Sequence, residues 1–224
     1  MLSLIIPTYN ERGNIRPLWE GLCRHLEDFE AIFVDDNSPD GTAREIEALQ
    51  DPRARLLSRP RKLGLGSAVV AGLDLARGDY IGMMDADLSH RPEDVARLYR
   101  AAREADITIG SRYVPGGRVV GWPLRRRVIS RGATLLARLL FWMRVRDPLS
   151  GLAIYRRGVL EALRGRLSPR GYKLLLEVLA RDRKSRVQEV PITFVERAHG
   201  RSKLDLGELL AFLRLLWELR GRRP

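Results

Sequence analysis

The chain has 224 residues, one of them cysteine, with 45% hydrophobic and 30% charged positions. That is enough chain for a core that folds without metal or disulfide, and it excludes both a disulfide framework and an intrinsically disordered protein. Lysines and arginines number 40 against 28 acidic residues, a formal charge of +12. An anionic partner is therefore expected: a nucleic acid, a phosphorylated small molecule or an acidic membrane surface.

Leu2 to Ile6 is an isoleucine-rich run ended by Pro7 and predicts a buried strand. Helical spacing over Ile15 to Leu26 follows, with Cys23 on it as a core residue, then a buried strand over Ala31 to Val34 stopped by Asp35-Asp36-Asn37-Ser38-Pro39-Asp40-Gly41. Thr42 to Leu49 predicts a helix, Ala54 to Leu57 a strand, Gly64 to Leu75 a helix, and Tyr80 to Met84 a strand ended by Asp85-Ala86-Asp87. Pro92 to Ala102 opens with proline at a helix start, where it is tolerated, and Ile107 to Ile109 is a further strand. Beyond a loop marked by Gly116-Gly117 and Trp122-Pro123, helices are expected over Val128 to Met143, Gly171 to Ala180 and Leu206 to Leu219, with a strand over Val187 to Val195. Strands apolar on both faces, alternating with helices, predict an α/β fold with a mostly parallel, Rossmann-like sheet covered on both sides. Ligands bind such sheets at the carboxyl ends of the strands, where the acidic clusters fall.

Asp85-Ala86-Asp87 puts two carboxylates one residue apart just past a strand. They suit Mg²⁺ or Mn²⁺, with phosphates completing the shell; the alternative is a turn capping the helix that begins near Pro92. Asp35 and Asp36 suit hydrogen bonds from a base edge or ribose, with Asp40 and Gly41 opening the next helix as an Asx turn. Two adjacent carboxylates repel, which points to a ligand. Arg112, Arg125, Arg126, Arg127, Arg131, Arg197 and Lys203 are candidate phosphate ligands, since the guanidinium fork matches phosphate. His25, His90 and His199 have no metal-ligand spacing, and neither a nucleophilic triad nor a G-x-x-x-x-G-K-[ST] loop is present.

Taken together, several segments resemble the donor half of family 2 glycosyltransferases with the GT-A fold: Pro7-Thr8-Tyr9-Asn10-Glu11, Val34 through Thr42, and Lys62-Leu63-Gly64-Leu65-Gly66. Asp85 through His90, Gly110-Ser111-Arg112-Tyr113, Ile129 through Ala133, Asp147-Pro148-Leu149-Ser150-Gly151, Gly171 through Glu177, and Glu189-Val190-Pro191-Ile192 through Leu204 narrow the resemblance to the dolichol-phosphate (polyprenol-phosphate) mannose synthases. The resemblance implies one GT-A catalytic domain over 1–224, with a nucleotide-sugar half (1–113), an acceptor half (114–224) and C-terminal amphipathic helices. It implies transfer of mannose from GDP-mannose to a polyprenyl or dolichyl phosphate, with inversion and with Mg²⁺ or Mn²⁺. Pro7, Tyr9, Glu11, Val34 and Asp36 match nucleoside-binding positions. Asp85, Ala86 and Asp87 match the metal and diphosphate motif, and Ser89 stands where some members carry a glutamine beside the metal. Arg112, Arg126, Ser130 and Arg131 match the acceptor-phosphate side, with Asp87, Arg112, Arg126 and Ser130 the expected catalytic set. Arg197 and Lys203 match donor-phosphate and loop-closing positions. Leu149 and Leu152 depart from the residues common in the family.

An acceptor phosphate has a second pKa of about 6, so at neutral pH it is a dianion that needs no general base. A polyprenyl-phosphate glucosyltransferase using UDP-glucose stays open as an alternative. A basic nucleic-acid-binding protein, the reading from another class, is disfavoured because aromatics are only 7% and the acidic pairs would repel a phosphate backbone; no nucleic-acid partner is expected. Ala133 to Met143, the longest apolar candidate, falls short of the roughly 20 residues a spanning helix needs and contains Arg138. Met1 leads straight into an apolar strand, so no signal peptide is expected. The expected location is peripheral, on the cytoplasmic face of a membrane. Val128 to Met143 and Leu206 to Leu219 are read either as interface helices or as ordinary packing. Some family members work with a small membrane-protein partner, and such a partner stands as an expectation here.

Overall fold

Leu2, Leu4 and Ile6 alternate with Ser3 and Ile5, and all five are fully buried, so this strand needs cover on both sides. The computed structural model, which describes residues 1–167, 173–196 and 206–221, supplies it. The strands are β1 (Leu2–Thr8), β2 (Phe29–Asp35), β3 (Ala54–Ser58), β4 (Tyr80–Met83), β5 (Ile107–Ser111), β6 (Arg118–Val120), β7 (Ala153–Arg156), β8 (Val187–Pro191) and β9 (Thr193–Val195). They are joined by the helices α1 (Arg12–His25), α2 (Thr42–Glu47), α3 (Leu65–Leu75), α4 (Pro92–Ala101), α5 (Leu124–Phe141), α6 (Arg157–Ala162), α7 (Leu174–Arg181) and α8 (Leu206–Gly221). The main sheet has seven strands in the order β3-β2-β1-β4-β7-β5-β8, and β6 pairs with β9 beside it.

Leu2, Leu4, Ile6 and Phe33 meet Ile15, Leu18 and Leu22 of α1, Ile46 of α2, and Val95 and Leu98 of α4 on one face. Ile5, Ile32, Val34, Ile81 and Tyr155 meet Val69 and Leu73 of α3, Leu160 of α6, and Leu175 and Val178 of α7 on the other. Helix α3 lies close to the sheet because of Gly72: a Cβ there would stand 2.6 Å from Ile5 Cγ2. A third cluster joins Ala137 and Phe141 of α5 to Phe212, Leu215, Leu216 and Leu219 of α8, with Leu149 and Leu176 beneath.

The expected mostly parallel sheet is present, with one exception. β7 is antiparallel to both β4 and β5, and the sequence reading contains no strand there. Its four residues carry no period long enough to show a strand, and they run straight into α6. β7, from the second half of the chain, thus lies between two strands of the first. The strand expected over Val187 to Val195 is two strands, because Pro191 has no N–H to continue a ladder and the chain shifts from β5 to β6 at Ile192. Helix α5 begins at Leu124, ahead of the expected Val128. Gly171 and Tyr172, at the start of another expected helix, lie outside the described residues. Every main-sheet strand except β7 runs the same way. The carboxyl ends of β1, β2, β4, β5 and β8, together with the segment entering β7, therefore share one edge.

Candidate active site

At the ends of β1 and β2 the chain turns through left-handed residues, Asn10 at φ 61° and Asn37 at φ 59°, a conformation asparagine tolerates. Asp35 accepts hydrogen bonds from Thr8 Oγ1 (3.1 Å) and from the backbone N–H (2.9 Å) and hydroxyl (2.5 Å) of Ser38. Asp36 is ion-paired with buried Arg59 and accepts the N–H groups of Leu63 (3.2 Å) and Gly64 (3.3 Å). The expectation that two adjacent carboxylates need a ligand is thereby corrected: the chain itself supplies both with partners. Asp40 accepts from Thr42 and from the Arg12 N–H, closing the turn into α2 and the start of α1 as expected. Of the other nucleoside-side candidates, Tyr9 is exposed with Lys62 Nζ 4.2 Å from its ring centre, and Glu11 accepts from Asn14 Nδ2 at 2.6 Å. Pro7 is half-buried one residue before the end of β1. Val34 is fully buried, with its side chain under α3, so any part it takes in binding a nucleotide falls to its backbone.

Past β4, Ala86 packs into the core and Leu88 takes a left-handed φ of 60°, unusual for a branched side chain. Its side chain packs against the same core, which holds the turn. Asp87 is buried and accepts the backbone N–H (3.0 Å) and hydroxyl (2.5 Å) of Ser89 at Oδ1. Ser89 thus directs its proton to Asp87, while its carbonyl accepts the Val195 N–H at 3.1 Å, tying this loop to β9. Asp85 is about one-third exposed, and its Oδ2 stands 3.8 Å from His90 Nε2. Gly151 keeps this space open: a Cβ there would lie 2.9 Å from Asp85 Oδ2 and 3.1 Å from His90 Nε2. No group of three or more His, Cys, Asp or Glu residues among the described ones could hold a metal by itself. Two hard carboxylates are nevertheless the usual protein share of a Mg²⁺ site completed by substrate phosphates, so the residues fit such a cation. Burial pushes the His90 imidazole down to about 4, against the pull of Asp87 and Asp147 and with the push of Arg112 and Lys173.

The cationic side is built on a buried ion pair. Arg112 donates from Nε (2.8 Å), Nη2 (2.7 Å) and its backbone N–H (3.0 Å) to Asp147. Glu189 in turn accepts the backbone N–H groups of Arg146 (2.8 Å) and Asp147 (3.0 Å). Burial opposes the Arg112 charge, but Asp147 outweighs it and holds the guanidinium above its ordinary range. The Arg112 guanidinium lies 5.1 to 5.7 Å from the ring centres of Tyr113, Trp122 and Phe194. Arg126 stacks on Trp122 at 4.0 Å and pairs with Glu196 at 3.1 Å. Ser130 Oγ and Tyr113 Oη are 2.8 Å apart, and Arg131 stands 5.9 Å from the Tyr113 ring centre. Arg112, Arg126, Ser130 and Arg131 therefore gather in one cluster. Arg112 is turned to Asp147 within it, whereas Arg131 is exposed. Arg197 and Lys203 lie outside the described residues.

The family model described as "Glycosyl transferase family 2" matches residues 3–164. The chain belongs to this family. It is 40% identical over 97% of its length to a dolichol-phosphate mannosyltransferase of Pyrococcus furiosus, of which it spans 63%. It is equally close to a dolichol-phosphate mannosyltransferase of Saccharomyces cerevisiae, spanning 86% of that protein. It is 42% identical over 91% of its length to an undecaprenyl-phosphate mannosyltransferase of Micrococcus luteus, spanning 87% of it. Among solved structures, a mannosyltransferase from Pyrobaculum calidifontis in complex with GDP-Man and Mn²⁺ matches with a TM-score of 0.63 at 18% identity, over 90% of this chain and 58% of that one. Glucosyl-3-phosphoglycerate synthase from Mycobacterium tuberculosis, in complex with Mn²⁺, UDP-glucose and phosphoglyceric acid, reaches 0.71 at 22%, over all of this chain and 81% of that one. These likenesses establish the GT-A fold.

Four parts of this candidate site escaped the sequence reading: Arg59 under Asp36, Asp147 as the partner of Arg112, Glu189 behind it, and the Trp122–Phe194 aromatic pair, whose rings are 5.2 Å apart. Asp147 and Glu189 carried a signal in the quoted motifs; Arg59, one basic residue among many, carried none. Asp147→Ala leaves the Arg112 charge buried without its carboxylate. It is expected to cost about 3 kcal/mol and to lower the melting temperature by roughly 6–12 °C for a chain of this size. Thermal unfolding checks this; a change under 2 °C would show that Arg112 does not depend on the pair.

Proposed function

We propose that the protein transfers mannose from GDP-mannose to a polyprenyl phosphate, inverting the anomeric centre, with Mg²⁺ or Mn²⁺ held at Asp85 and Asp87. One observation carries this reading: a carboxylate pair and an arginine cluster stand on the same sheet edge, in a chain 40% identical over nearly its whole length to a dolichol-phosphate mannosyltransferase. The Micrococcus luteus relative, named for an undecaprenyl acceptor, supports the broader polyprenyl phosphate as acceptor class. Incubation with GDP-mannose and with UDP-glucose, each with short polyprenyl phosphates, followed by mass spectrometry, tests donor and acceptor together. A hexose delivered only from UDP-glucose overturns the donor assignment.

Pro7, Tyr9, Glu11 and Asp36 line the nucleoside side, with Lys62 and the Leu63–Gly64 backbone held beside them. A bound cation would offset the diphosphate charge and stabilise the departing GDP. Arg126, Ser130 and Arg131 receive the acceptor phosphate, and Arg112 adds fixed positive charge from behind. A phosphate oxygen bonds to the anomeric carbon as the bond to GDP breaks, and no proton moves. The work of the side chains is to bring one anion up to another.

No helix among the described residues is long and apolar enough to cross a membrane. Instead, Leu124, Val128, Leu135 and Leu139 fall within about 60° on α5, at 100° per residue, with Trp142 just past its end. Leu139 is 66% and Trp142 81% exposed. Ala137 and Phe141 face the opposite way, into the contact with α8. Arg131 and Arg138 border one edge of the stripe, and Trp217 of α8 is 78% exposed. An apolar stripe edged by arginines suits the headgroup boundary of an anionic membrane, where the acceptor's chain is anchored.

Asp87→Asn keeps an oxygen for Ser89 and removes the charge. Partners one step removed from a metal are worth about 10- to 100-fold in affinity, so a lost ligand should weaken Mn²⁺-dependent GDP-mannose binding by about 100-fold or more. Calorimetry with and without Mn²⁺ measures this, and parent-like metal dependence would remove Asp87 from the site. With the acceptor as its own base, the acid limb of kcat/KM should lie near the phosphate's second pKa, about 6, and should move with a phosphonate acceptor of different pKa. A limb that stays in place means that an enzyme group ionises. Pairing Leu139→Asp with Trp142→Asp should weaken binding to phosphatidylcholine–phosphatidylglycerol vesicles at least about tenfold while sparing turnover of a short soluble acceptor. Unchanged flotation with vesicles would take the stripe out of membrane contact.

A further inference from the structure

Among the described residues, His90 is the one histidine that the fold drives into the site and that the proposed reaction does not use. Its side chain is fully buried, and neither ring nitrogen has a hydrogen-bond partner. Buried polar groups are nearly always satisfied, so an imidazole with two orphaned nitrogens calls for an explanation. Packing holds the ring firmly. Phe194 meets it edge-to-face at 5.0 Å and 84°, and Phe194 is itself braced by Trp122 and by the Arg112 guanidinium. Nε2 looks across 3.8 Å at Asp85 Oδ2, about 0.8 Å beyond an ordinary hydrogen bond. Gly151 lines the shared space, and any side chain there would press on both groups.

We infer that His90 is a positioning residue for Asp85: its Nε2–H is held ready to donate a hydrogen bond to one Asp85 oxygen when the other turns to a divalent cation. The inference rests on the metal-dependent donor site proposed above and adds a residue to it. A neutral imidazole carries one N–H, and the geometry assigns it to Nε2. Asp85 is about one-third exposed, whereas the ring is fully buried and braced by Phe194; the donor is the fixed member of the pair, and the carboxylate closes the gap. Hydrogen bonds of this kind orient a ligating carboxylate and raise metal affinity by about 10- to 100-fold. The ring also joins the two halves of the site, since the aromatic pair that braces it carries Arg112 and Arg126 on its other side.

The test uses the full chain with His90→Phe, His90→Asn and His90→Gln. Phenylalanine keeps the ring and removes both nitrogens. The asparagine amide nitrogen falls near Nδ1, and the glutamine one near Nε2. Mn²⁺ affinity is read by electron paramagnetic resonance at saturating GDP, and GDP binding without metal by calorimetry. His90→Phe and His90→Asn should lose about 10- to 100-fold in Mn²⁺ affinity while metal-free GDP binding stays within about twofold, and His90→Gln should recover most of the loss. Parent-like Mn²⁺ affinity in His90→Phe overturns the inference alone, as does an equal loss in all three variants accompanied by lost metal-free binding. A parent protein whose GDP binding ignores Mn²⁺ overturns the metal-dependent donor site and this inference together.

Discussion

The Arg112–Asp147 pair is the interaction on which the edge of the sheet depends. It fastens the end of β5 to the segment that enters β7, the strand whose reversed direction distinguishes this sheet from a purely parallel one. Three hydrogen bonds and nearly complete burial make it a rigid contact, and desolvation makes it unforgiving: either charge alone in that setting would be strongly unfavourable. Its return is placement more than stability. A guanidinium whose forward direction is occupied by Asp147 leaves its flat faces for aromatic rings, and Tyr113, Trp122 and Phe194 gather round it. Those rings then carry Arg126 on one side and His90 on the other. Glu189, in the middle of β8, fixes the backbone of Asp147 and extends the same dependence to the next strand.

The acidic side solves its electrostatics differently. Asp35 is the last residue of β2, and Asp36 lies one residue past it. Each meets its own partners, hydroxyl and backbone groups for Asp35, and Arg59 with two backbone N–H groups for Asp36. Mutual repulsion does not need a ligand to relieve it, because each carboxylate is held by donors of its own. What the arrangement provides for a nucleotide is a loop: by accepting the N–H groups of Leu63 and Gly64, Asp36 draws the glycine-rich segment and Lys62 over Tyr9.

The sheet was readable because β1, β2 and β4 are largely apolar on both faces and β2 and β4 end in conspicuous acidic turns; periodicity and composition are local properties. β7 was not readable because Ala153–Arg156 is short and its antiparallel placement is decided by partners more than 40 residues away in sequence, on β4 and β5. The candidate site followed the same division. Residues at strand ends, such as Asp85, Asp87 and Arg112, could be placed on the right edge from order alone. Their partners could not, since nothing local links Arg59 to Asp36, or Phe194 to His90. Ser89 shows the limit from the other side: its position in the motif marks it as a metal neighbour, yet its hydroxyl is turned to Asp87.

The surplus of positive charge acquires a spatial meaning from this geometry. The proposed reaction, which moves a sugar from a nucleoside diphosphate to a phosphate, must hold two polyanions a few ångströms apart, and water between them would screen their repulsion only partly. Positive charge is therefore useful in two forms. Buried guanidinium, fixed by Asp147, contributes a field without moving. Arg126, Ser130 and Arg131, reached from α5, can exchange partners as a phosphate arrives; Arg126 is at present matched by Glu196, a partner with the same charge sign as the phosphate it would receive. Because α5 also carries the exposed apolar stripe, the helix that offers the movable cations is the helix that faces lipid in the proposed reading. A phosphate anchored in a membrane would then meet arginine before it meets the donor, and the order of encounter would follow from which side of one helix is apolar.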